Sequence, residues 1–131
     1  MQGAQTLGKG QTAVARRVLV VDDENDVLLV IKTALQSEGF DVSGASNGFD
    51  ALTEVKNAPP DLIILDVMMP GMDGWEVLQR LRMRRETESI PVIICSVIND
   101  PELAFALGAS QYVPKPVTRE ALRGALQKLR V

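Results

Sequence analysis

The chain has 131 residues, 46% hydrophobic and 24% charged, enough for one globular domain with a sizeable core and too little for two. Residues 1–17 hold Lys9, Arg16 and Arg17 and no acid, so the remaining 11 bases face all 17 acids, a net −6; such a field argues against nucleic acid as a direct partner. The sequence has no histidine, which excludes histidine general-base catalysis, histidine metal ligands and a role as phosphohistidine donor.

Residues 1–17, rich in Gln, Gly, Thr and Ala without apolar periodicity, read as a flexible tail or linker ahead of a domain over 18–131. No apolar run approaches the ~20 residues of a transmembrane helix, and the N-terminus does not read as a signal peptide. The single Cys95 permits no internal disulfide. The expectation is a cytoplasmic chain without a membrane partner.

From Val18 onward, apolar runs alternate with amphipathic segments. The predicted strands are Val18–Val21, Asp41–Ala45, Leu62–Leu65, Val92–Cys95 and Gln111–Val113. The first, third and fourth are continuously apolar, as in strands covered on both faces. Val27, Leu28, Ile31, Ala34 and Leu35 form one helical stripe, and Leu122, Ala125, Leu126 and Leu129 another. Asn25 and Asn47 stand where N-caps belong, Asp73 and Glu76 have capping-box spacing, and Asp100-Pro101 predicts an N-cap followed by proline at the first helical position. Gly108 closes that helix. Alternating strands and helices predict an α/β fold: a doubly wound, flavodoxin-like five-stranded parallel sheet in the order 2-1-3-4-5.

That order brings chemistry to one place. Asp22 and Asp23 end the first strand and Asp66 ends the third, and these two strands are neighbours at the switch point, where ligands bind in such sheets. Three converging carboxylates repel one another unless a cation intervenes. Oxygen-only ligands suit a hard cation, and few protein ligands alongside a phosphate oxygen suit Mg²⁺. Ser96 after the fourth strand and Lys115 after the fifth face the same crevice, offering a hydroxyl donor and a compact positive charge for a phosphoryl group.

These residues carry a resemblance. Val18-Leu-Val-Val-Asp22-Asp23, Leu62-Ile-Ile-Leu-Asp66-Val-Met-Met-Pro70-Gly-Met-Asp-Gly74, Ser96 and Tyr112-Val-Pro-Lys115-Pro116 resemble, in order and spacing, the response-regulator receiver domains of two-component signalling. The resemblance implies that Asp66 accepts a phosphoryl group from a partner histidine kinase or histidine phosphotransfer protein. It implies Mg²⁺ held by Asp23, Asp66 and the Met68 carbonyl, with Asp22 acting through water, and Lys115 and Ser96 holding phosphoryl oxygens. It further implies a cis Lys115-Pro116 bond and a switch in which phosphorylation draws Ser96 toward Asp66 and lets Tyr112 swing inward. Such a domain is also a slow self-phosphatase.

The stretch from Ser96 to Lys115 is shorter than the family pattern, which predicts a helix from Pro101 to Leu107 of roughly two turns. The output partner is not specified. Ala106-Leu-Gly-Ala109 and Lys-Pro-Val point toward a fragment of a hybrid kinase or larger regulator, with a stand-alone regulator as the other possibility. Arg80, Arg82, Arg84 and Arg85 read as solvated charges favourable to a helix C-terminus, Cys95 as inert packing and Trp75 as a packing residue near the site. The alternative function is a pseudo-receiver that binds a partner without phosphorylation. An FMN carrier is disfavoured because Asp22-Asp23-Glu24 would repel its phosphate, and an Asp-x-Asp phosphatase because Met68 occupies the second Asp position.

Overall fold

In the computed structural model, which describes residues 15–130, the first strand opens at Arg17, one residue before the expected Val18. The backbone N–H of Arg17 donates to Asp61 Oδ2 at 2.8 Å, and its guanidinium donates to the carbonyls of Pro59 and Ala58, each at 3.0 Å. These side-chain bonds extend the strand beyond its apolar run. The tail expected over residues 1–17 lies outside the described residues as far as residue 14.

The elements follow as β1 (Arg17–Val21), α1 (Asn25–Ser37), β2 (Asp41–Ala45), α2 (Gly48–Asn57), β3 (Leu62–Asp66), α3 (Gly74–Arg82), β4 (Val92–Ser96), α4 (Pro101–Ala106), β5 (Gln111–Pro114) and α5 (Arg119–Leu129). The strands form one parallel sheet in the order β2-β1-β3-β4-β5, as the alternation predicts. Successive residues of the central strands feed opposite faces. Leu19, Val21, Ile63, Leu65, Val92 and Ile94 join Ala51, Val55, Val77, Leu78 and Leu81 in one core. Val18, Val20, Leu62, Ile64, Ile93 and Cys95 join Ile31, Leu35, Leu122, Ala125 and Leu126 in the other. A continuously apolar strand is therefore two interleaved period-2 patterns, one for each helical layer.

Four helix starts carry a side-chain cap: Asn47, Asp73 and Asp100 as expected, and Thr118, which the sequence pattern does not single out. Asn47, Asp73, Asp100 and Thr118 accept from the backbone N–H of Asp50, Glu76, Leu103 and Ala121 at 2.8–3.0 Å. The capping box at α3 is only half closed, because the Glu76 carboxylate turns to Arg80 at 2.8 Å. At α1 the expectation fails: Asn25 is the first helical residue, and Glu24 is the cap. The Asp22 carboxylate takes the Glu24 N–H at 2.9 Å, so this helix start is organised from the end of β1. Helix α4 ends at Ala106, with Leu107 as its cap, and Gly108 turns the chain at φ 107°.

Arg82 is not a solvated charge. Its Nε donates to the Gly108 carbonyl at 2.9 Å, and its terminal nitrogen donates to the Ile90 carbonyl at 2.8 Å. It joins the end of α3 to the loop before β4 and to the turn after α4, satisfying carbonyls with charge-assisted bonds.

Gly74, the first residue of α3, fixes the end of β3. Its N–H donates to the Val67 carbonyl at 2.8 Å, and a Cβ there would lie 2.1 Å from the Asp66 carbonyl oxygen and 2.7 Å from Val67 Cα. Both neighbours are backbone and cannot rotate away. Gly74→Ala is expected to destabilise the fold by at least about 3 kcal/mol, at or beyond the upper end of ordinary overpacking. Urea denaturation of the two proteins measures it; equal midpoints would show that α3 can shift away from β3 without cost.

Candidate functional site

The crossover from β1 out to β2 and back to β3 separates the loops that follow β1 and β3, which opens a crevice at their carboxyl ends. Asp22 and Asp23 enter it from β1 and Asp66 from β3. One carboxylate oxygen of each lies within 4.8 Å of the others. Asp22 and Asp66 are buried and Asp23 is exposed.

Lys115 enters from the end of β5, where its N–H donates to the Ser96 carbonyl at 2.9 Å. Its Nζ lies 2.8 Å from Asp22 Oδ2 and 3.0 Å from Asp66 Oδ1. The Lys115–Pro116 bond is cis, as the resemblance implies. Glu24 Oε1 stands 3.9 Å from the same ammonium, a neighbour that the sequence signals only by its position after the acidic pair.

The three carboxylates are in different states. Asp22 has both oxygens engaged, Oδ1 by the Glu24 N–H and Oδ2 by Lys115. Asp66 has the lysine on one oxygen. Asp23 makes no hydrogen bond or ion pair among the described residues. Burial, with repulsion from Asp22 and Asp23, pushes the Asp66 carboxyl up to about 6 against the pull of Lys115. Burial pulls the Lys115 ammonium down, but its hydrogen bonds to Asp22 and Asp66 outweigh that and hold it above the ordinary lysine value. One lysine does not balance three carboxylates. The donor set is all oxygen, with Asp23 and one Asp66 oxygen open, which fits a small hard cation.

Ser96 is buried at the end of β4. Its Oγ accepts the Ile98 N–H at 2.9 Å, which leaves its own proton free to donate. The Ile98 carbonyl in turn accepts the Tyr112 hydroxyl. Ser96 and Tyr112 are thus joined through Ile98, and Tyr112 is already tied to the loop after β4 in this structure. Met68 is exposed, and its side chain shares a shallow depression with Trp75 and Ile98. Cys95 lies behind the site with its thiol pushed up to about 12 by burial, consistent with inert packing.

A parallel sheet in this order, with a lysine and a carboxylate cluster that could hold a cation at its switch-point edge, defines a flavodoxin-like domain. The family model of the response regulator receiver domain matches residues 18–127, and the chain belongs to that family. It is similar to the chemotaxis protein CheY4 of Vibrio cholerae, with 32% identity and a TM-score of 0.82 over 88% of this chain and 98% of that one. A putative response regulator from Chloroflexus aurantiacus J-10-fl shares 28% identity and a TM-score of 0.84 over 90% and 100% of the two chains. The signal receiver domain of a signal transduction histidine kinase from Syntrophus aciditrophicus shares 30% identity and a TM-score of 0.80 over 88% and 89%.

The raised Asp66 value has a thermodynamic consequence in metal-free protein. The carboxyl moves from 3.8 to about 6 on folding, so between these values the folded state binds more protons than the unfolded chain. Stability from this group is present below pH 3.8 and is lost as pH rises to about 6, by about 3 kcal/mol at 1.36 kcal/mol per unit. Asp66→Asn cannot ionise. In EDTA, its stability relative to the unsubstituted protein should therefore rise by about that amount between pH 4 and pH 7. Denaturant unfolding at the two pH values measures the difference; a pH-independent difference would mean that Asp66 titrates as an ordinary carboxyl.

Proposed function

We propose that the chain accepts a phosphoryl group onto Asp66 from the phosphohistidine of a partner histidine kinase or histidine phosphotransfer protein. The observation that carries this reading is Lys115 Nζ at 3.0 Å from Asp66 Oδ1, inside a carboxylate cluster that spans 4.8 Å. An Asp66 oxygen attacks phosphorus, the bond from phosphorus to the imidazole nitrogen breaks, and the histidine leaves as an acyl phosphate forms. The chain supplies positioning and charge. Lys115 shifts its ammonium toward the phosphoryl oxygens as negative charge accumulates on them, and the free Ser96 hydroxyl proton donates to another of them.

Asp23 and Asp66 would hold Mg²⁺ directly together with the Met68 carbonyl. Asp22, with both oxygens engaged, would act through a water. The ion would neutralise the phosphoryl and carboxylate charges. With the group in place, Ser96 is drawn toward it. The Ile98 N–H that now rests on Ser96 Oγ, and the Tyr112 hydroxyl beyond it, must then readjust. This is the switch, and it starts here from a Tyr112 already bonded to Ile98. A cytoplasmic setting suits such partners, and among the described residues no helix is long and apolar enough to cross a membrane.

The test is incubation with a small acyl phosphate and Mg²⁺, followed by mapping of the modified residue by mass spectrometry. Modification should fall on Asp66 and disappear in Asp66→Asn while that variant stays folded. Uptake at the unsubstituted level in the variant would remove Asp66 from the acceptor role.

Magnesium should also raise the melting temperature, because the cluster exists only in the folded state. At a free concentration of 100 times Kd the gain is about 2.7 kcal/mol, and Asp23→Ala should erase most of it. A melting temperature indifferent to saturating Mg²⁺ would favour a pseudo-receiver that binds its partner without phosphorylation.

A further inference from the structure

Five of the 11 bases in residues 18–131, Lys56, Arg80, Arg82, Arg84 and Arg85, gather around the ends of α2 and α3. Arg82 is turned inward by its carbonyl partners and Arg80 is paired with Glu76. Lys56 and Arg84 make no ion pair among the described residues. Between the two helices runs a groove of about 420 Å³ with Lys56, Arg80 and Arg84 on its rim, no acid in its lining, and Leu52, Val55 and Leu81 on its floor. Met83 also lines it, at 81% exposure.

We infer that this groove is a docking site for an acidic amphipathic helix of a partner protein. The rim selects sign: the charged residues that line the groove are all cations, with Lys56 and Arg84 free of ion pairs among the described residues, and on a domain region of net −6 they draw anionic groups to this face and repel cationic ones. The floor selects shape. It is apolar and runs between two helices, and a helix presenting leucines at i, i+4 and i+7 lays a row of anchors in such a groove. Met83 closes over them, as flexible thioether side chains do at adaptable binding surfaces. The face is separate from the carboxylate site, and the inference does not depend on phosphorylation.

The probe is a synthetic helical peptide of about 15 residues with leucines on one face and glutamates flanking them. Its controls are the same peptide with lysine for glutamate, and a single-stranded oligonucleotide of equal charge. Amide NMR shifts should saturate around Lys56, Met83 and Arg84. Combined Met83→Ser and Arg84→Glu should weaken binding about tenfold, with an unchanged melting temperature because both side chains are exposed. The inference is overturned if shifts centre elsewhere, if none appears at about 1 mM peptide, if the lysine peptide binds as well, or if the double variant binds unchanged. Tighter binding of the oligonucleotide at the same residues would reassign the groove to nucleic acid.

Discussion

The ammonium of Lys115, held between Asp22 and Asp66, is the interaction around which the carboxyl edge of the sheet is arranged. It joins side chains from the ends of β1, β3 and β5, so the site exists only when those strand ends are in register. Burying such a triad is not a net source of stability, because desolvation offsets much of the Coulomb attraction. Removing one member is different, since it strands a buried charge. The triad is therefore a geometric constraint more than a source of folding free energy. The apolar layers on both faces of the sheet hold the strands in place, and the edge spends part of that stability on an unbalanced cluster.

The imbalance is functional under the proposed reading. Two carboxylates against one lysine would make a quiet ion network. A third, Asp23, exposed and unpartnered among the described residues, leaves negative charge that a divalent cation can meet. Asp22 has no free oxygen, so the carboxylates divide into one that holds the lysine and the helix start, one that is open to solvent, and one that can react. The same Asp22 that steadies Lys115 also takes the Glu24 N–H and so fixes where α1 begins.

Much of this was legible in the sequence because it depends on strand ends. Once the apolar runs at Val18, Leu62 and Val92 are identified as parallel strands, the topology alone places Asp22, Asp23, Asp66 and Ser96 on one edge, and Lys115 follows from β5. The less legible features depend on partners distant in sequence. Arg82 looks like its neighbours Arg80 and Arg84 until the carbonyls of Ile90 and Gly108 are seen to meet it. Asn25 is a better intrinsic cap than Glu24, but the backbone N–H of Glu24 is captured by Asp22, and that bond sets the helix start. Arg17 joins β1 through Asp61, which no apolar pattern records.

The same distinction explains how α4 is held. It has six residues, too few for helix propensity alone to maintain, so its ends depend on neighbouring bonds. Its C-terminal turn is fixed by Arg82 on the Gly108 carbonyl. Its approach from β4 is fixed by the Ile98 N–H on Ser96 and the Tyr112 hydroxyl on the Ile98 carbonyl. The first anchor reaches α3, away from the crevice; the second contains a residue of the crevice itself. Under the proposed function, a phosphoryl group on Asp66 that recruits Ser96 would act on one end of α4, while Arg82 holds the other through the Gly108 carbonyl.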